Sequence, residues 1–273
     1  MRVVIVTPAG RRRYLEILIK YVESLRPIVD EYRLWVNTVD NNDIAFMQLY
    51  EKNNPGFVTL EYLPDDAIWN KCNTIFHFFK NCQDPNTLYV RFDDDIVYLD
   101  SPTKFTQFLK FRKDNPQYFL VYANTINNAI CSHLHQKKGV IDTSKGIAKY
   151  DCVDSIGWNS GEFAKLIHNT ALNSKDLSEF RMSNWLLTKN ERVSINAISW
   201  RGDYFHTFDG KVTNDEEIFL ACTKPAKDKM YNIIYGDFLC IHYAFYSQRD
   251  IVDKDTTILA RYRARSLKTN IEN

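Results

Sequence analysis

Short β-rich runs alternate with stretches of helical spacing through the first hundred residues. Strands are expected over 3–7, 32–38, 57–63 and 88–92, and helices over 14–25, 44–52 and 69–80. Parallel strands need a long crossover, usually a helix, so this alternation calls for a mostly parallel central sheet with helices on both faces. Ligands of such sheets collect beyond the carboxyl ends of the strands. There the fourth strand runs into "YVRFDDDIVYLD" (89–100), three carboxylates flanked by apolar residues. A buried carboxylate with no partner would sooner protonate than stay charged. These acids therefore require a partner.

Beyond residue 100 the pattern loosens. A helix is expected over 102–113 and a strand over 118–124. The polar stretch 125–160 suits a long functional loop. Helices follow over 161–172 and 176–190, then a strand over 194–200, a helix from about Asn214, a strand over 237–241 and a last helix over 256–267. There is no internal repeat or Gly/Ser linker, so the halves read as one domain. Its 273 residues, 45% apolar, supply ample core. A formal charge of +1 argues against a nucleic-acid partner. Six scattered cysteines without a CxxC pair read as reduced thiols, which points to a cytoplasmic protein. The apolar opening runs straight into Arg11–Arg13 rather than a cleavage site, and no apolar run reaches the roughly 20 residues of a spanning helix.

If the aspartate segment is extended, Asp93 and Asp95 share a face and Asp94 points away. Two such carboxylates suit Mn2+ or Mg2+, which are held by one or two acids plus substrate phosphates; a solvated acidic turn is the plainer alternative. Arg11–Arg13 follow the first strand, where cations in a first helical turn are disfavoured unless an anion binds there. In "LPDDAIWNKCNTIFHFF", Asp65 or Asp66 could receive a base N–H while Asn70 and Lys71 approach phosphate or sugar, although Asp66 also suits a helix cap. His242 ends a strand and could be a third metal ligand, and the fork of Arg249 suits phosphate. "CSHLHQ" lacks the second ligand pair that zinc would need.

In their order, these motifs resemble the GT-A-type nucleotide-sugar glycosyltransferases. Asp93–Asp95 stand where that family has its DXD motif, "VTPAGRRR" resembles the opening of its glucuronyltransferases, and "NDEEIFLA" (214–221) is similar to the acidic helix start that carries the base of inverting galactosyltransferases. The resemblance implies a Rossmann-like GT-A fold in one domain: a nucleotide-sugar half (1–100), an acceptor half (101–250) and a C-terminal helix (251–273). It implies a metal-dependent, inverting hexosyl transfer from a nucleoside-diphosphate sugar, a UDP-sugar by family habit, to a glycan or glycolipid hydroxyl. Asp93, Asp95 and His242 are then expected as metal ligands. Thr7, Pro8, Arg13, Asp66, Asn70, Lys71, Arg91, Asp94 and Arg249 are expected around the donor. Asn214 with Glu217 would form a capping box, leaving Asp215, then Glu216, as the base. The aromatic stretch 199–210 offers Trp200, Arg201 and Asp203 to an acceptor, unless it is a core strand. The basic C-terminal helix (Arg261, Arg263, Arg265, Lys268) could rest on an anionic membrane. A two-metal nucleotidyltransferase and a non-enzymatic carbohydrate-binding module are the alternatives.

Overall fold

A computed structural model describes residues 1–189, 191–213 and 215–268. The strands are β1 (Arg2–Ala9), β2 (Glu31–Val36), β3 (Val58–Glu61), β4 (Thr87–Phe92), β5 (Ile96–Leu99), β6 (Tyr118–Ile126), β7 (Trp185–Leu187), β8 (Ala197–Arg201) and β9 (Tyr231–His242). They form one sheet in the order β3-β2-β1-β4-β8-β6-β9-β5, with β7 also on β9. β1 to β4, β6 and β9 run one way; β5, β7 and β8 run against them. The helices are α1 (Arg12–Ser24), α2 (Asn41–Asn53), α3 (Pro102–Asp114), α4 (Ala129–Lys137), α5 (Gly161–Asn173), α6 (Gly202–His206), α7 (Glu216–Ile218), α8 (Lys224–Lys227), α9 (Tyr246–Asp253) and α10 (Thr256–Lys268).

Two cores follow from the alternation of side chains along buried strands. Ile5, Leu34 and Val90 face one way, against Leu15 and Leu18 of α1, Phe105 of α3 and Ile167 of α5. Val4, Val6, Trp35 and Tyr89 face the other, against Ile75 and Phe79 of a 3-10 run (Lys71–Asn81), Leu134 of α4 and Phe205 of α6. The sheet is therefore an α/β layer covered on both faces, and strands buried on both sides read as continuous apolar runs.

The sheet cannot be flat. β4 and β5 are separated by three strands in the order, which is about 19 Å in a flat sheet, yet only residues 93–95 connect them. A bulge resolves this. Ala123 pairs with Tyr235 but Asn124 pairs with Leu239, so β9 carries three extra residues, 236–238, and bends. Beyond the bend, β9 pairs with both the end of β6 and β5. The Asn124 side-chain amide pins the bulge by donating to Gly236 O (3.0 Å) and Phe180 O (2.8 Å).

Several sequence expectations change. The helix over 176–190 is a short 3-10 turn (Ser178–Phe180) followed by β7, because β9 offers 185–187 an open edge and Met182 N donates to Gly236 O. The helix over 69–80 is the 3-10 run, entered through Lys71 at φ 52°. The polar stretch 125–160 contains α4, capped by the Asn128 side chain on Ile130 N and Cys131 N. The strand expected over 237–241 is the far half of the longer β9. Asn214 lies outside the described residues. All six cysteines are free thiols, and among the described residues no helix is long and apolar enough to cross a membrane.

Gly236 has no room for a side chain: a Cβ there would lie 1.9 Å from Met182 O. Gly236→Ala should therefore cost roughly 1–3 kcal/mol through forced backbone movement, read as a lower urea midpoint. An unchanged midpoint would mean that the bulge is not a fixed feature.

Candidate functional site

The acids form a turn rather than an extended strand. Ile96 N donates to Asp93 O (3.0 Å), which places Asp94 and Asp95 at the centre of the turn and removes the alternation on which the sharing of a face by Asp93 and Asp95 depended. Each carboxylate meets arginine. Arg91 Nε and Nη2 donate to Asp93 Oδ1 (3.0 and 2.8 Å), and Asn196 Nδ2 donates to Asp93 Oδ2 (3.1 Å). Gly10 N and the Arg11 fork bind Asp94, while Arg11 Nη1 (2.9 Å) and Arg249 Nη2 (3.2 Å) converge on Asp95 Oδ2. Burial opposes ionisation of Asp95, but Arg11 and His242 outweigh it and hold the carboxyl well below the usual range. Asp94, sharing Arg11 with it, is pushed up by burial.

Asp95 Oδ1 is buried with no hydrogen-bond partner and faces His242 Nε2 at 3.5 Å. His242 Nδ1 lies 3.2 Å from Asn127 O, a carbonyl that can only accept, so the ring proton sits on Nδ1. Asp95 Oδ1 and His242 Nε2 thus face each other out of water across 3.5 Å, an arrangement that a positive charge between them satisfies, either a proton on Nε2 or a bound cation. A second-sphere carbonyl on the other ring nitrogen is what metal-bound histidines usually have. Asp93 belongs elsewhere, with Arg91 and Asn196. Among the described residues no group of three or more His, Cys, Asp or Glu side chains forms a complete ligand set. Asp95 and His242 are thus two side chains that could hold an ion here, fewer than a complete ligand set.

The acidic helix start also differs from expectation. Asp215 is the cap, its Oδ1 accepting from Ile218 N (3.0 Å), and it is exposed; Glu217 binds Arg192, and the capping box expected with Asn214 falls outside the described residues. Glu216 is the buried member, with Oε1 3.7 Å from Arg91 Nη1, so one guanidinium joins it to Asp93. Burial pushes the Glu216 carboxyl up to about 7, with Asp93 adding to the rise and Arg91 opposing it. The helix continues as a π turn (Phe219–Thr223) before Pro225, which has no N–H to donate; Asn232 Nδ2 donates to Leu220 O and Ala221 O.

The three aspartates with their arginines and Asn196, His242, and the acids 215–217 with Arg192 line one cleft of about 1200 Å³. Of the expected donor residues, Pro8, Asn70, Lys71, Arg91, Asp94 and Arg249 line it as well. Three do not. Thr7 is in the core, accepting from the Tyr32 hydroxyl (3.2 Å); Arg13 turns to Asp253 on α9 (2.6 Å); Asp66 is on an exposed turn outside the cleft. The neighbour of Arg13, Arg11, takes its place. Gly10 carries the signal for that: a Cβ there would meet Asn37 O at 2.8 Å, so a glycine lets the backbone of 37–38 pass close by just before Arg11.

Trp200, Arg201 and Asp203 are at the wrong end. β8 runs against β4 with Ala197 opposite Phe92 and Arg201 opposite Leu88, so they lie a strand's length from the aspartates. Trp200 is core, stacked on Tyr89 (5.5 Å) and donating to Cys82 O, and Arg201 pairs with Asp203. Sequence reasoning missed Trp158, Phe245 and Tyr246, which line the cleft, Phe245 with its ring 4.5 Å from that of His242; Tyr246 is 84% exposed. On α10, Arg261 binds the end of α5, Arg263 reaches Glu16 and Arg265 lies over Tyr98.

The sequence matches no family profile and no curated protein. A solved structure shares the fold. A mannosyltransferase from Pyrobaculum calidifontis, solved with GDP-Man and Mn2+, is 11% identical with a TM-score of 0.54, covering 98% of this chain and 64% of its own. A 4-diphosphocytidyl-2C-methyl-D-erythritol synthase from Anaerococcus prevotii is 9% identical with a TM-score of 0.48, covering 95% and 98%. The fold is thus a Rossmann-like α/β sandwich of GT-A-like form. This chain spans less than two thirds of the mannosyltransferase, and at such identity the likeness speaks for the fold alone.

Glu216 gives a stability test. In the fold it keeps its proton up to about pH 7, whereas in the unfolded chain it loses it near 4.5, so the native state binds more protons between those values. Its contribution is full below about pH 4.5 and falls as pH rises to about 7. Glu216→Gln should therefore gain roughly 1–3 kcal/mol on the wild type between pH 4 and pH 8 in urea titrations. Parallel stability curves would contradict the buried, proton-holding carboxyl.

Proposed function

We propose that the chain is a glycosyltransferase that moves a sugar from a nucleoside-diphosphate donor to a hydroxyl acceptor with inversion. The observation that carries this is Glu216, a buried carboxyl ionising near neutrality, in the same cleft as the arginine-ringed aspartates. A base tuned close to the working pH combines readiness to take a proton with a useful population of its charged form.

In this reading Arg11 and Arg249 receive the diphosphate, whose charge matches their forks. Glu216 takes the proton of the acceptor hydroxyl as its oxygen bonds to the anomeric carbon; the bond from that carbon to the diphosphate breaks and its electron pair leaves with the phosphate. Arg91 fixes the base relative to Asp93. Asp95 and His242 would hold Mn2+ or Mg2+, which when bound neutralises charge on the leaving group. The base passes from Asp215 to Glu216 because Asp215 is spent on the helix cap. The acceptor side passes to Trp158, Phe245 and Tyr246, whose flat faces suit a sugar ring. A membrane-borne acceptor gains little support from α10, whose Arg261, Arg263 and Arg265 are engaged by the protein itself.

A thermal-shift series with UDP, GDP, dTDP and CTP, each with and without Mn2+, tests the donor class. Stabilisation by a diphosphate with metal supports the proposal; a response to CTP alone would favour nucleotidyl transfer. Given turnover, Glu216→Gln should lower kcat a hundredfold or more and keep the nucleotide shift. Asp215→Asn should keep most of kcat, since Asn also caps. The reverse pattern would return the base to Asp215. Tyr246→Ala should raise acceptor KM several-fold and spare acceptor-free donor hydrolysis; equal loss of both would remove the aromatic acceptor face.

A further inference from the structure

The three aspartates are already neutralised by this chain's own arginines, and that bears on how a cation could enter. Arg11 is the shared member. Its fork binds Asp94, its Nη1 binds Asp95 Oδ2 at 2.9 Å, and Arg249 Nη2 reaches the same oxygen at 3.2 Å. Asp95 Oδ1, opposite His242 Nε2, therefore lies beside two positive charges held on its own carboxylate. A divalent ion there would be repelled by both guanidinium groups. Yet Arg11 is only half committed to the interior: its side chain keeps 34% of its surface exposed, while Asp94 and Asp95 keep 3% and 2%. It also lines the cleft immediately after Gly10. An arriving diphosphate offers this guanidinium more negative charge, in bidentate geometry, on its open side. If Arg11 turned to it, two buried carboxylates would lose their shared cation, which is costly unless another replaces it.

We infer that Arg11 is a latch released by the donor: it holds Asp94 and Asp95 in the free protein, transfers to the diphosphate when that binds, and so opens the Asp95–His242 pair to a divalent cation. This rests on the diphosphate reading of the cleft. Cation and diphosphate then bind with positive coupling, equal in both directions as linkage requires. Arg11 is a positioning residue here, and its role is visible in binding without any turnover.

The test is calorimetric titration of Mn2+ into the full chain, alone and with saturating UDP or inorganic pyrophosphate. In the wild type, Mn2+ alone should bind weakly, and either UDP or pyrophosphate should tighten it tenfold or more. In Arg11→Gln, Mn2+ alone should bind at least tenfold tighter than in the wild type, and the coupling should shrink to a few-fold. Arg11→Lys, which keeps the charge but not the fork, covers the case in which the glutamine variant does not fold, and should weaken the coupling without tightening Mn2+ alone. Wild-type binding of UDP and Mn2+ with no coupling, or coupling that survives in both variants, would overturn the latch and leave the donor reading standing. A wild type that binds neither UDP nor pyrophosphate would overturn both.

Discussion

Two buried carboxylates, Asp94 and Asp95, and the half-buried Asp93 beside them must be neutralised, and much of this end of the molecule is arranged around that requirement. Arg91 comes from within β4 itself, Arg11 from the connection after β1, and Arg249 from α9, far along the sequence. Asn196, at the entry to β8, and His242, at the end of β9, complete the ring of contacts. The partners come from five points in the chain that only the sheet brings together. A buried ion pair is a poor source of net stability, but losing one partner is costly because the other charge is left stranded. That asymmetry ties the loops of the cleft to one another.

The bend in β9 makes the gathering possible. Without residues 236–238 out of register, β5 could not pair with β9 after so short a link from β4, and the aspartate turn would not lie beside His242. Tyr243 N donates to Asp95 O (2.9 Å), so the turn and the end of β9 share a backbone bond as well as side-chain contacts. Fold and site are thus linked through a single irregularity, held by Asn124 and by the lack of a side chain at Gly236.

The alternation of strands and helices was legible because strands buried on both faces have to be apolar throughout, and the cleft's place at their carboxyl ends followed from it. The bulge was missed although "YGDFLC" carries a local sign of it: a glycine inside a strand often marks a bulge or a close backbone approach. β7 read as a helix because its partner edge is remote in sequence. Trp200 read as an acceptor face because an aromatic run looks alike in a core and on a surface; only the antiparallel register of β8 places it at the far end. The aspartates were recognised, but their partners were expected to be a metal ion, since the arginines lie 2, 83 and 154 residues away from the acids they bind. Asp215 and Glu216 differ in what the fold does with them, a helix cap and a buried carboxyl, and that depends on where the helix begins.

The most direct test of the account is a crystal structure of the protein with a nucleoside diphosphate and Mn2+, with anomalous scattering recorded for the metal. The expected result is the diphosphate in the cleft on Arg11 and Arg249, and a manganese peak about 2.0–2.3 Å from Asp95 Oδ1 and His242 Nε2. A nucleotide bound elsewhere, or a bound diphosphate with no metal peak and Arg11 still on Asp94 and Asp95, would contradict it.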